Sequence, residues 1–152
     1  MNNAVYIHIP FCKNICSYCD FCKFLYNEEW VQKYLVTLKK EILDRYNKEK
    51  IKTIYIGGGT PSSLSSESLK YLLELTKLFD ISELEEFTFE CNIEDINEEF
   101  LWTLKKYNVN RISIGIESFD QVNLKFMNRS LYYADVKNKI SLIRKYDFNN
   151  IN

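Results

Sequence analysis

The sequence predicts an α/β fold: a parallel (β/α) barrel that is begun but not closed, a partial barrel with about four βα units. Three observations carry this reading. Short runs rich in β-branched and aromatic residues recur as AVYIHI, KTIYIG, EFTFEC and RISIGI. A longer segment with apolar residues at helical spacing follows each of them. A fifth run, FNNIN, starts at Phe148. Alternating strands and helices favour parallel strands joined by right-handed crossovers.

Each element has its own local reason. In the first run, period two puts Tyr6, His8 and Pro10 on one face and Val5, Ile7 and Ile9 on the other. Asn27 is a good helix cap, and Trp30, Tyr34, Leu38, Ile42 and Tyr46 follow it at four-residue steps. After KTIYIG, Ser65 and Ser66 offer caps for a helix with Leu69, Leu72, Leu73, Thr76 and Phe79 on one stripe. After EFTFEC, Asn97 precedes Phe100, Leu101 and Leu104. After RISIGI, the stripe is Val136, Ile140, Ile143 and Tyr146. All these stripes read as core packing.

At 152 residues the chain fits one domain. With a formal net charge of −1, it has no global basic field to attract nucleic acid. No apolar run approaches the ~20 residues of a membrane helix. The N-terminus lacks both a basic leader and an Arg-rich amphipathic one, so a cytoplasmic location is expected. In a reducing compartment, clustered cysteines point to metal or redox chemistry rather than to disulfides.

In such folds function sits at the C-terminal ends of the strands. After the first strand comes CKNICSYCDFC, which holds four of the five cysteines: Cys12, Cys16, Cys19 and Cys22. A zinc site would usually divide its ligands between two separated knuckles, and no second CxxC or HxxxH exists here. A thioredoxin-type CxxC would open a helix and would not need Cys12. An iron–sulfur cluster suits thiolates spaced along one loop. After the second strand, IGGGTPS uses three of the four glycines, Gly57, Gly58 and Gly59. One would serve a plain turn; three suggest close backbone approach to a ligand. Neither the dinucleotide fingerprint nor the Walker pattern fits. After the third strand stands Glu90, followed by Cys91, which reads as a small buried apolar residue.

The run YIHIPFCKNICSYCDF, with Cys12-x3-Cys16-x2-Cys19, closely resembles the radical S-adenosylmethionine superfamily, and within it the HemN/HemW branch. The resemblance implies that Cys12, Cys16 and Cys19 hold a 4Fe-4S cluster. One iron is left open to chelate S-adenosylmethionine, whose reductive cleavage gives a 5′-deoxyadenosyl radical. GGGTP is identical to a family motif and implies cofactor contacts by Gly58, Gly59 and Thr60. Glu90 and Asn92 match a Glu-x-Asn-Pro motif in which Ile93 replaces the proline. ISIGIESF is similar to a segment that usually carries Gln where Glu117 stands, and Arg129 matches a cofactor-contacting Arg twelve residues on. Tyr6 and Tyr18 match cofactor-contacting aromatic positions. His8, the only histidine, is a candidate catalytic residue because it alternates in register with Tyr6.

By this resemblance the chain is the N-terminal part, residues 1–152, of a radical S-adenosylmethionine core domain. Further strands and a C-terminal domain would lie outside it. The resemblance implies a HemW-like role in haem handling as a haem chaperone, with haem bound by a segment beyond residue 152. The alternative is an oxygen-independent coproporphyrinogen III dehydrogenase of porphyrin biosynthesis, an oxidoreductase. Those enzymes tend to carry Cys-x-Cys, whereas Asp20 and Phe21 follow Cys19 here and Cys22 comes one place later. A non-catalytic cluster-binding fragment is a third reading. Expected partners are S-adenosylmethionine, haem or porphyrin and an electron donor. RISIGI is expected to leave one sheet edge unpaired, which invites self-association.

Overall fold

The structure is a computed structural model that describes residues 3–129 and 132–152. From the N-terminus, β1 (Ala4–Ile9) leads through two-residue strands β2 (Phe11–Cys12) and β3 (Phe24–Leu25) into α1 (Glu28–Arg45). Then β4 (Thr53–Gly58) precedes α2 (Ser66–Leu75), and β5 (Glu86–Asn92) precedes α3 (Glu98–Lys106). β6 (Arg111–Gly115) is followed by α4 (Gln121–Phe126), α5 (Tyr133–Lys145) and β7 (Asn150–Ile151). The main sheet has the order β1-β4-β5-β6-β7, with every pair parallel. Each main strand lies beside its predecessor, so the sheet grows in one direction as a barrel wall does.

Period two gives the sheet two unlike faces. Ile7, Ile9, Ile54, Ile56, Phe89 and Ile112 share one core with Leu72, Leu73, Leu101 and Ile143 of the helices. The other face carries Tyr6, His8, Tyr55, Glu90, Arg111 and Ser113, none of them buried. The helices begin where side chains cap them. Asn27 accepts from the Trp30 N–H, Ser65 from Ser68 and Asn97 from Phe100.

Two expectations need correction. The stripe on α1 is displaced: Val31, Leu35 and Ile42 are its buried residues, while Trp30 is 55% exposed and meets Phe24 edge-on. A four-residue step overshoots the 3.6-residue turn, so a stripe extended backwards from Ile42 drifts off the buried face. The edge of β6 is also not bare along its whole length. β7 pairs Asn150 with Arg111 and Ile151 with Ile112, and Asn152 continues the ladder to Ile112 and Ile114. Short α4, which sequence periodicity did not reveal, starts at Asp120, whose side chain accepts from the Asn123 N–H. Among the described residues no helix is long and apolar enough to cross a membrane.

Candidate functional site

A cavity of about 580 Å³ opens at the C-terminal ends of β4, β5 and β6, against the cysteine loop. The loop leaves β2 at Cys12 and returns at β3, and the short pairing of these two strands closes it at the base. Cys12, Cys16 and Cys19 all line the cavity. Cys22 does not; it is exposed on the far side of the loop. Burial pushes the Cys12 thiol up; Thr60 opposes this, while charge on Cys19 or Cys16 pushes it further. Among the described residues no three His, Cys, Asp or Glu side chains are gathered to hold a single metal ion.

The glycine turn clasps this loop from below. The Gly59 N–H donates to the Ile9 carbonyl at 2.8 Å and the Thr60 N–H to Phe11 at 2.9 Å. The Thr60 hydroxyl donates to Cys12 Sγ at 3.4 Å. A Cβ on Gly59 would lie 2.9 Å from Cys12 Sγ, and Gly58 has a φ of +118° with the His8 ring behind it. Protein packing alone therefore demands both glycines, a reason that sequence reading missed. Gly58, Gly59 and Thr60 also face the cavity.

From β5, Glu90 reaches the cavity with both oxygens engaged: Oε1 accepts from the Tyr55 hydroxyl at 2.5 Å and Oε2 from the Gly58 N–H at 3.0 Å. Ile93 begins a single 3-10 turn, Ile93–Asp95, and is fully buried in the core. The turn needs no proline because side chains hold it. Asp95 accepts from Lys13 at 3.0 Å and from Ser62 at 2.7 Å, and Ser62 accepts from the Asn92 N–H at 3.0 Å. Asp95 thereby ties the residue after Cys12 to the ends of β4 and β5. Cys91 is buried, and burial pushes its thiol far up, as for an inert core residue.

From β6, the chain turns at Glu117, a non-glycine residue at φ +67°. Arg129 comes back to meet it with a side chain only 7% exposed. Its Nη2 donates to the Gly115 carbonyl at 2.9 Å and to Asn92 Oδ1 at 3.3 Å. Glu94 lies 3.4 Å from Nη2 and Glu117 3.8 Å from Nη1. Burial works against the guanidinium charge, but Glu94 and Tyr18 outweigh it and hold Arg129 above its ordinary range. Tyr18 is pushed up to about 12, by burial first and then by Cys16. Glu117, Arg129 and Tyr18 all line the cavity. Asn92, singled out above by its motif, belongs to its wall, as do Glu94, Asp95 and Lys13, which only contacts distant in sequence reveal.

Tyr6 and His8 stand apart from this cavity. The Tyr6 hydroxyl and His8 Nδ1 are 2.9 Å apart, and His8 Nε2 donates to the Cys22 carbonyl at 3.0 Å. Both ring nitrogens of His8 are thus spent on the chain itself. His8 lines a smaller apolar hollow with Cys22, Phe24, Trp30 and Tyr34.

Three comparisons with known proteins bear on this arrangement. The chain is 41% identical over 150 residues to the heme chaperone HemW of Lactococcus lactis, covering 98% of this chain and 39% of that protein. It is 40% identical over 153 residues to the heme chaperone HemW of Bacillus subtilis, covering 97% and 40%. The chain thus spans about two fifths of the length of these relatives. Among solved structures, coproporphyrinogen III oxidase HemN from Escherichia coli, described as a radical SAM enzyme, superposes with a TM-score of 0.88 at 25% identity. The superposition covers 97% of this chain and 35% of that one. The family model described as "Radical SAM superfamily" matches residues 6–152. The cysteine loop, the glycine turn and the parallel half-barrel beneath them are therefore those of a family member: the chain belongs to the Radical SAM superfamily.

Proposed function

We propose that this chain binds a 4Fe-4S cluster through Cys12, Cys16 and Cys19, with S-adenosylmethionine beside it, and that it serves haem handling in the manner of the HemW relatives. The observation that carries this reading is the meeting of three thiols, the Gly58–Thr60 turn, Glu90 and the Glu117–Arg129 pair on one cavity. When bound, the cluster would supply the electron that cleaves the sulfonium. The chain's own work is to bind and orient. Thr60 and the glycine turn hold the cluster loop against the sheet, and Glu90 offers a fixed anionic acceptor. Arg129 offers a donor for an anionic or hydroxyl group. His8, with both nitrogens engaged, fits a tie between β1 and the end of the cysteine loop better than a proton carrier. The likeness to coproporphyrinogen III oxidase supports a second reading, oxidative decarboxylation of a porphyrinogen. The separation of Cys22 from the cavity favours the first, because that enzyme class tends to carry its extra cysteine nearer, in Cys-x-Cys.

The test is anaerobic reconstitution. Iron and sulfide should load onto the chain, and 5′-deoxyadenosine should be released when reductant and S-adenosylmethionine are added. Loading without release would leave only the cluster-binding reading. Haem transfer to an acceptor protein, set against consumption of coproporphyrinogen III, then separates the two activities.

A further inference from the structure

Among the described residues, Tyr55 is the one bonded to the Glu90 side chain that does not itself line the cavity. The register explains the contact. Tyr55 pairs with Tyr6 on one side and Thr88 on the other, so Glu90 stands two residues further along β5, on the same face. The phenol spans that step and donates to Oε1, while the Gly58 N–H holds Oε2. Gly57 leaves the room for this, since a Cβ there would lie 2.7 Å from Glu90 Cδ and 2.7 Å from Tyr55 Cε1. The Tyr6 ring, centred 6.0 Å away, limits movement of the phenol on its other side. The proton has a definite owner. Burial first, then the hydrogen bond to Glu90, pushes Tyr55 up to about 12, so the phenol keeps its proton and is the donor to Oε1.

We propose that Tyr55 is a positioning residue: with the Gly58 N–H it fixes the Glu90 carboxylate at the cavity wall as the acceptor for the cationic end of the bound ligand. This rests on the reading of S-adenosylmethionine as that ligand. A carboxylate held by two donors has few rotamers left to lose when a cation arrives, so the benefit appears as affinity. The alternative is that the phenol merely ties β4 to β5. These differ in one respect: positioning acts only through Glu90, whereas a strand tie acts whatever stands at 90.

The test is a double-mutant cycle on the cluster-loaded 152-residue chain, with S-adenosylmethionine binding read by calorimetry. Tyr55→Phe should weaken binding about tenfold, in the range of a hydrogen bond to a charged group. In a Glu90→Gln background the same change should move binding less than about twofold. Gly57→Ala, which displaces the carboxylate from the other side, should also weaken binding in the first background only. Visible cluster absorbance and melting temperature report whether each variant is folded and loaded. Equal losses in both backgrounds, or no loss from Tyr55→Phe, overturn the proposal. No binding to the loaded wild-type chain overturns the ligand assignment beneath it, and the positioning role falls with it.

Discussion

At the scale of single residues, the cysteine loop separates by exposure and direction. Cys12 is buried behind Thr60, Cys16 and Cys19 are half-buried on the same cavity, and Cys22 is exposed and turned away. Cys22→Ser should therefore leave the visible absorbance of a reconstituted cluster near wild type, while serine at 12, 16 or 19 should abolish it. Equal loss at Cys22 would mean a fourth ligand. Glu117 allows a finer test. Its carboxylate lies 3.8 Å from Arg129 Nη1 and is 41% exposed, a geometry worth about 0–1 kcal/mol. Arg129 keeps Gly115, Asn92 and Glu94 without it. Glu117→Gln should then shift S-adenosylmethionine affinity by less than about fivefold in either direction, within that ion-pair range. A loss beyond tenfold, read by calorimetry, would show that the ligand needs the charge itself.

At the scale of elements, Glu28 does more than open α1. Its carboxylate accepts from the hydroxyls of Tyr26, Ser65 and Ser68, joining the end of the cysteine loop and the start of α2 to its own helix. The Tyr26 hydrogen bond first, then that of Ser68, holds Glu28 below the usual carboxylate range. A depressed folded pKa adds stability above the ordinary value of about 4.3, and that stability is lost as pH falls through the folded value. Urea midpoints at about pH 7 and about pH 3 should therefore differ more for the wild type than for Glu28→Gln. Parallel acid losses would remove this link between the helices. The same elements show what sequence can reveal. β4, β5 and α2 were legible because their apolar residues recur at strand or helix spacing, and Ser65 and Asn97 mark their helices locally. The Tyr55–Glu90 contact and the Asp95 clamp were not, because they join residues 35 and 82 positions apart whose types mean nothing locally. Helix α4 has six residues, too few for a period to emerge. The left-handed turn at Glu117 was also hidden, since glycine or asparagine is the usual sign.

At the scale of the whole molecule, the sheet has a sound centre and an unfinished flank. β4 and β5 have partners on both sides and fully buried Ile54, Ile56 and Phe89. β7 covers only the first part of β6, and its own outer side meets no strand among the described residues. In the segment that follows β6, Phe119, Val122, Phe126 and Tyr133 are each more than half exposed, with Phe126 at 80%. Unpaired backbone groups on an edge strand and exposed apolar side chains each favour association between chains. We expect the 152-residue chain to elute from sizing columns at a volume that shifts with concentration. Asn150→Lys, which sets a charge on the exposed position of the edge strand, should move it toward monomer without changing the far-ultraviolet circular dichroism. Thermal unfolding should be marginal and its midpoint should rise with protein concentration, because association stabilises the folded form by mass action. A concentration-independent monomer that melts cooperatively above ~60 °C, near the top of the mesophile range, would show that β7 is a sufficient border. The core behind β4 and β5 would then carry the fold by itself.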